Sequence, residues 1–332
     1  MERSQLRLGP FLLPGRFAAA RYALSMTAAK IRTDARIDLH AHSLRSDGRG
    51  TPAQVMREAS EAGLDIVALT DHDTTAGWAE AADEAERLGL GFVPGIEVTT
   101  RVQRNVTHKF TVHMLAYLPD PNSPELAQML ADSVESRHRR LQEITERLSE
   151  DYDINWDHVQ EVLADGKVGG RPAIADAMIA RGILETREPF FKIVTQGTKY
   201  YVPNRGVPET VDAVRAIRAA GGVPVLAHPM ARGAGPRPGD PMPRAHFVEL
   251  IESGLAGFET GHRDVAPHVT EWLEQLAFEF DLLTTGSSDY HGTGKQNRLG
   301  EHTTSVRAFE RILEQASSNY VPLLLPRAVL AG

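Results

Sequence analysis

Seven short apolar runs are spread along the chain and predict strands. The runs lie at residues 37–43, 65–70, 91–97, 112–117, 223–227, 257–259 and 282–286. The run at 65–70 is almost continuously apolar, which is typical of a parallel strand covered on both faces. Because strands that alternate with helical segments pair in parallel, the pattern predicts an α/β fold around a seven-stranded parallel sheet.

The segments between most of these runs predict helices. Thr51 and Pro52 suit the N-cap and the first position of a helix that we expect to continue through Glu61. Further helices are predicted at 75–88, 208–220, 244–253 and 268–280. With 332 residues, the chain is long enough for one α/β barrel with an insertion or for two domains.

The alternation stops after the fourth strand. Apolar residues at helical spacing predict a long amphipathic helix at 124–148, and shorter helices are predicted at 157–163, 172–180 and 189–194. We therefore expect residues 119–205 to form a helical insertion between strands 4 and 5. This insertion, or cap, would cover the mouth of a barrel made from residues 34–118 and 206–332.

The first thirty residues are cationic and carry no sustained apolar run. The apolar stretch around Phe11 is too short for the core of a secretory signal. We predict a disordered leader at residues 1–33, with a targeting peptide as the alternative. The expected compartment is the cytoplasm.

Composition narrows the possible partners. No run of eighteen apolar residues predicts a membrane span. The formal charge of -8 argues against a broad basic surface that would grip long duplex nucleic acid. Because the chain has no cysteine, a metal centre must use nitrogen and oxygen ligands. The oligomeric state is left open.

Histidines and acids cluster after the predicted strands. Side chains alternate along a strand, so His40 and His42 share one face and can reach the same metal ion. Closing the sheet would bring six histidines and three carboxylates to one rim: His40, His42, Asp47, His72, Glu97, His113, His228, Asp289 and His291. Each residue taken alone could have an ordinary structural role, such as capping a helix or forming a hydrogen bond in the core. Together they would repel or desolvate one another unless cations held them.

Short motifs follow the strands in a fixed order. They are His40-Ala41-His42, Ser46-Asp47-Gly48, Thr70-Asp71-His72-Asp73, Gly95-Ile96-Glu97, His113, Ala227-His228-Pro229 and Ser288-Asp289-Tyr290-His291. In kind and order they resemble the motifs of the PHP family, named for polymerase and histidinol phosphatase, from about residue 36 to 300. The resemblance implies a distorted seven-stranded β/α barrel that holds two or three divalent metal ions.

The resemblance also implies a set of ligands for each ion. The first ion would take His40, His42, Glu97 and Asp289; the second would take Glu97 as a bridge, His113 and His228; the third would take Asp47, His72 and His291. Many PHP proteins have histidine where this chain has Asp47. Because a carboxylate is a harder ligand, manganese is the expected metal, with iron, magnesium or zinc as alternatives.

Within the family, the chain resembles the branch of nucleoside 3',5'-bisphosphate phosphatases, AMP phosphatases and 5'-to-3' exoribonucleases. The resemblance implies a phosphoesterase that acts on 3',5'-bisphosphates, AMP or the 5' ends of short RNA through a hydroxide bridging the metals. The alternatives are a phosphatase of a small phosphorylated metabolite, an amidohydrolase and a PHP module without catalytic activity.

Other residues are candidates for contacts with the substrate. His262 follows the sixth strand and is a candidate general acid, with a hydrogen bond to a ligand as the alternative. Four cations are candidates to hold a second phosphate, with an ordinary surface charge as the alternative for each: Arg171, Lys199, Arg205 and Lys295. Arg171 lies beside two glycines and the start of a predicted helix, so it is a better anion-site candidate than Arg139 and Arg147, which we expect on a solvated helix face, and it joins His262 as a candidate catalytic residue. Tyr200 and Tyr201 are candidates to stack on a nucleobase, or to pack the insertion against the barrel.

Overall fold

Seven strands form one sheet in which each strand lies beside its neighbours in the sequence. In the computed structural model the described residues are 31–102, 110–163, 167–231, 243–318 and 326. The strands are β1 (Ile37–Asp38), β2 (Ile66–Leu69), β3 (Gly91–Val102), β4 (Phe110–Tyr117), β5 (Val223–Leu226), β6 (Gly257–Gly261) and β7 (Leu283–Gly286). A parallel bridge between Ala41 and Tyr290 connects the two ends of the sheet, so the sheet curves nearly into a barrel.

Strand β4 departs from the predicted parallel sheet. β1 to β3 pair in parallel, and so do β5 to β7, but β4 is antiparallel to both β3 and β5. Parallel pairing requires a crossover of a dozen or more residues, and β3 continues so far that only residues 103–109 separate it from β4. The prediction of an all-parallel sheet was therefore wrong at this strand, whereas the predicted barrel is confirmed.

Ten α-helices accompany the sheet in the described parts of the chain. They are α1 (Pro52–Glu61), α2 (Trp78–Leu88), α3 (Pro124–Leu148), α4 (Trp156–Val162), α5 (Arg171–Ala180), α6 (Glu188–Ile193), α7 (Thr210–Ala219), α8 (Arg244–Glu252), α9 (Pro267–Glu279) and α10 (Val306–Gln315). The Thr51 cap is confirmed, because its side chain accepts from the Gln54 amide while the Gln54 side chain accepts from the Thr51 amide. Helix α10 was not predicted.

The core is divided between the two faces of the sheet. Along β2, Ile66 and Ala68 pack in one hydrophobic cluster, and Val67 and Leu69 pack in another. This burial on both faces is what the continuous apolar run predicted. None of the helices in the described ranges combines the length and apolar character needed to cross a bilayer.

Helices α3 to α6 have a hydrophobic cluster of their own. It includes Leu141, Ile174, Phe190 and Val202, and each of these side chains is buried. The first half of α3 instead packs on the barrel through Leu126 and Leu130, so this one helix belongs to both cores. The domain boundaries at residues 119 and 205 stay a prediction, and residues 1–30 of the predicted leader lie outside the described residues.

Candidate metal centre

The predicted metal ligands converge at one rim of the sheet. They form three overlapping groups in which the potential ligand atoms lie within 4.8 Å of one another: His40, His42, Glu97 and Asp289; His42, Asp47, His72 and His291; and His72, Glu97 and His113. The ninth predicted ligand, His228, lies with Nε2 3.0 Å from Glu97 Oε1. Because β4 runs antiparallel, its first half reaches this rim, which is how His113 arrives there from within a strand.

The first group has the spacing of ligands around a single ion. Nε2 of His40 and Nε2 of His42 are 3.0 Å apart. His40 Nε2 lies 3.3 Å from Glu97 Oε2 and 3.4 Å from Asp289 Oδ1, and the corresponding distances from His42 Nε2 are 3.1 Å and 3.3 Å. Neighbouring ligands held about 2.0 to 2.2 Å from an ion are about 2.8 to 3.6 Å apart in octahedral or tetrahedral geometry. The four atoms therefore fit one divalent cation.

Glu97 lies between the histidines and is only 1% exposed. Its Oε1 is 2.9 Å from His113 Nδ1, while its Oε2 is 3.1 Å from His72 Nδ1. Burial opposes ionisation of this carboxyl, but its interactions with the imidazoles of His72, His113 and His40 hold its pKa well below the usual value. A carboxylate with imidazoles on both oxygens is suited to bridge two ions.

Asp47 belongs to a group whose buried atoms lie close together without forming hydrogen bonds. Asp47 Oδ1 and His291 Nε2 lie 3.1 Å apart, and His72 Nε2 is 3.8 Å from Asp47 Oδ2. Three buried atoms here, Asp47 Oδ1, His72 Nδ1 and His291 Nε2, have no hydrogen-bond partner among the described residues. Buried polar atoms without partners are costly, so this donor set also fits a cation.

The structure groups the ligands almost as the resemblance implied. The first group has the same four members. Compared with the implied ligand sets, the group around Asp47 also includes His42. In the remaining group, His72 lies with Glu97 and His113, where the resemblance implied His228. The assignment of ligands to individual ions stays a prediction.

A tight turn positions Asp47. The Gly48 amide donates to the Ser43 carbonyl at 3.0 Å, and a Cβ on Gly48 would lie 2.5 Å from the His42 carbonyl oxygen. Only glycine fits so close an approach of the backbone. Asp71 supports the same loop, because it accepts from the amide of Ser43 at 2.7 Å and from its hydroxyl at 2.6 Å.

Three residues near the centre have left-handed backbone conformations. The φ angles of Asp73, His228 and Asp289 are 53°, 28° and 52°. Such angles are unfavourable for residues other than glycine and persist where the surrounding structure imposes them, commonly at ligand sites.

Glu259 was not among the predicted site residues. His40 Nδ1 lies 2.9 Å from its Oε1, which also accepts from the Ser287 hydroxyl, and its Oε2 accepts from the His228 amide at 2.8 Å. Burial opposes ionisation of Glu259, but the charge of His40 outweighs it and lowers the pKa to about 2. A carboxylate on Nδ1 fixes the imidazole so that Nε2 faces the centre. The available signal was an acid inside an apolar strand, Gly257-Phe258-Glu259.

His262 and Lys295 both lie beside Asp289. His262 Nε2 is 3.5 Å from Asp289 Oδ2, and its Nδ1 accepts from the Asp264 amide at 3.1 Å. The neutral ring therefore carries its proton on Nε2. Lys295 Nζ lies 2.7 Å from Asp289 Oδ2. Burial disfavours the charged ammonium, but the negative charges of Asp289 and Asp47 raise the pKa of Lys295.

A cavity opens over the centre and is lined by acids, histidines and arginines. The arginines that line it are Arg101, Arg137, Arg140 and Arg171. Arg137 binds Asp73 and, at 2.5 Å, the Thr99 hydroxyl. Arg140 donates to the Val202 carbonyl at 2.8 Å, and burial together with the charge of Arg171 lowers the pKa of Arg140 to about 10.

Three predicted substrate contacts are not among the residues that line this cavity: Lys199, Tyr200 and Arg205. Lys199 binds Glu150 at 3.2 Å, and the Tyr200 hydroxyl donates to Asp151 at 2.6 Å on the insertion. Arg205 is exposed. The structure thus brings Arg171, Lys295 and His262 to the cavity, together with Tyr201, but not these three.

Residues 38–167 match the PHP domain. The chain is 33% identical over 267 residues to phosphoribosyl 1,2-cyclic phosphate 1,2-diphosphodiesterase of Eggerthella lenta, covering 77% of this chain and 94% of that protein. It is 31% identical over 283 residues to the 3',5'-nucleoside bisphosphate phosphatase of Chromobacterium violaceum, covering 82% of this chain and 93% of that protein.

Two further similarities agree with these. The chain is 31% identical over 260 residues to the 5'-3' exoribonuclease Rnm of Escherichia coli, covering 76% of this chain and 84% of that protein. A crystal structure from Bifidobacterium adolescentis, described as a metal-dependent phosphoesterase, superposes with a TM-score of 0.80 at 38% identity. The superposition covers 86% of this chain and 98% of that chain.

Proposed function

Because this chain belongs to the PHP family and is a hydrolase of phosphoric ester bonds, we propose that it removes phosphate from nucleotides at the centre around Glu97. The observation that carries the proposal is the spacing of the first group, in which four ligand atoms surround one point. The centre shares one cavity with the arginines of the insertion, so a substrate bound there touches both.

We propose His40, His42, Glu97 and Asp289 as ligands of one ion. Glu97, His113 and His228 hold a second ion, with His72 in reach, and Asp47, His72 and His291 hold a third. Divalent ions held there polarise phosphoryl oxygens and make water a better nucleophile. Manganese suits this mixture of imidazole and carboxylate ligands.

Residues around the ligands supply the remaining chemistry. His262 directs its Nε2–H toward Asp289 and the cavity, where it can donate a hydrogen bond to the leaving oxygen, which then takes its proton from water because full transfer from the neutral ring would leave an imidazolate. Lys295 and Arg171 line the cavity and bind phosphate oxygens there.

A second phosphate fits beside the arginines of the cavity. Among the described residues, neither Arg140 nor Arg171 forms an ion pair with a carboxylate, and both line the cavity. Burial lowers the pKa of Arg171, and burial together with the charge of Arg171 lowers the pKa of Arg140. An anion bound between the two guanidinium groups stabilises both positive charges. Substrates with a second phosphate, either a nucleoside 3',5'-bisphosphate or the 5' end of a short RNA, satisfy this arrangement.

A small phosphorylated metabolite is the second candidate substrate. It is favoured by the Eggerthella lenta relative, whose name specifies a phosphoribosyl cyclic phosphate. Such a compound would bind with its phosphate at the metal centre and would need no contact between a nucleobase and the cavity.

The test is a comparison, in the presence of manganese, of phosphate release from the small substrates and of mononucleotide release from the RNA. The substrates are AMP, adenosine 3',5'-bisphosphate, phosphoribosyl 1,2-cyclic phosphate and a 5'-phosphorylated oligoribonucleotide. We expect His40→Ala and Asp289→Ala to lose activity by orders of magnitude, whereas His268→Ala, an exposed histidine on α9, stays active. Unchanged activity in both ligand variants would refute the proposal.

A further inference from the structure

Phe191 is an aromatic side chain without a place in the core. Its neighbour on α6, Phe190, is fully buried in the cluster of the insertion, whereas Phe191 is 37% exposed. Among the described residues, Phe191 and Phe278 are the two large hydrophobic side chains with this degree of exposure. Phe191 is set apart because it lines the cavity over the metal centre.

The surroundings of Phe191 are those of a binding surface. The Arg171 guanidinium lies 5.4 Å from the ring centroid, and the Phe190 ring meets it edge-on with centroids 5.4 Å apart. These contacts fix the ring, so little conformational freedom is left to lose when a planar ligand binds. Aromatic rings that are held in this way favour stacking on other π-systems.

A polar acceptor lines the same cavity. Asn204 Oδ1 is buried and has no hydrogen-bond partner among the described residues. An unpartnered buried acceptor is unfavourable until a donor reaches it. The edges of nucleobases carry N–H donors that can reach such an acceptor, but so can the hydroxyls of a ribose, so Asn204 supports a polar ligand in the cavity and the selection of a base rests on Phe191.

We propose that Phe191 is a platform on which the base of the substrate stacks, while a phosphate of the same molecule lies at the metal centre. This inference rests on the proposed function and narrows it to nucleotides. It also moves base recognition away from Tyr200, whose hydroxyl is bound to Asp151 and which does not line the cavity. Phe191 is a residue that sets specificity and takes no part in bond cleavage.

The test compares substrates with and without a base. KM is measured with manganese for AMP and ribose 5-phosphate, and for adenosine 3',5'-bisphosphate and its abasic analogue. Loss of stacking on one base corresponds to about a 5- to 150-fold change. We therefore expect Phe191→Ala to raise KM by that factor for the compounds with a base, to leave the base-free ones unchanged, and to keep kcat. Phe191→Tyr should restore binding.

Phe278→Ala is the matched control, because it removes the other exposed phenylalanine, which lies on α9. Calorimetric titration of adenosine, which carries no phosphate to release, measures the subsite independently of turnover. We expect adenosine to bind wild type and Phe278→Ala alike and to bind Phe191→Ala at least about 5-fold more weakly.

The outcomes separate the two proposals. Equal increases in KM for substrates with and without a base, or equal adenosine affinity in wild type and Phe191→Ala, would overturn base stacking and leave the phosphoesterase standing. No phosphate release from any of these compounds would overturn the proposed function, and the adenosine titration would still decide the role of Phe191.

Discussion

Replacing Glu259 with glutamine tests whether this buried carboxylate organises the metal centre. The carboxylate accepts three hydrogen bonds, from His40 Nδ1, from the Ser287 hydroxyl and from the His228 amide. Glutamine has nearly the same shape but only one oxygen. If its oxygen faces His40, its amino group opposes the His228 amide, donor against donor. If its amino group faces His40, it donates to Nδ1 and places the ring proton on Nε2, which can then no longer bind a metal.

Both orientations lead to a quantitative expectation. Loss of such an outer carboxylate weakens metal binding by about 10- to 100-fold, which corresponds to about 1.4 to 2.7 kcal/mol. We expect Glu259→Gln to weaken manganese binding by this factor, measured by competition with a chromophoric chelator. Activity at subsaturating manganese should fall in parallel and recover in part when manganese is raised.

The control is Glu252→Gln, which removes an exposed acid at the end of α8. It should bind manganese as wild type does. If Glu259→Gln also bound manganese with wild-type affinity while remaining folded by circular dichroism, the assigned role of Glu259 in orienting His40 would be refuted.

The remaining predictions concern the ions, the arginines and the insertion. Removing divalent ions with a chelator should abolish phosphate release and lower Tm, and manganese should restore both; a Tm insensitive to chelation would count against bound ions. Arg140→Met should raise KM about 10-fold or more for adenosine 3',5'-bisphosphate and less for AMP, and Arg139→Met, which changes an exposed arginine, is the control. Equal increases in KM for the two substrates would contradict a second-phosphate site at Arg140. Phe190→Ala should reduce the free energy of unfolding by about 3 to 5 kcal/mol in urea titrations, and a loss below about 1 kcal/mol would contradict its place in the insertion core.

Much of the centre could be predicted because most of its residues lie in or directly after short apolar runs of the sequence. Asp47 lies in a turn that requires glycine at position 48, and Glu97 and Asp289 interrupt or follow apolar runs. The long helix α3 was predicted with its observed bounds, since its apolar spacing is regular over 25 residues.

Other features depend on contacts between distant segments. The antiparallel direction of β4 follows from how far β3 extends, which no local pattern reports. Glu259 is 219 residues from His40 in the sequence, and their contact exists only after the sheet curves. Phe191 reads as one more apolar residue beside Phe190, because only the folded insertion shows which of the two faces a cavity.

Helix α3 has a consequence for the size of the substrate. It is one uninterrupted helix of 25 residues, about 37 Å long, anchored at one end on the barrel and at the other in the insertion. Arg137 and Arg140 lie on it between those anchors and line the cavity. Because this helix is held at both ends, the fold sets the distance between a phosphate at the metal centre and a phosphate bound by Arg140. A molecule whose two phosphates are closer together than this distance can bind at only one of the two places.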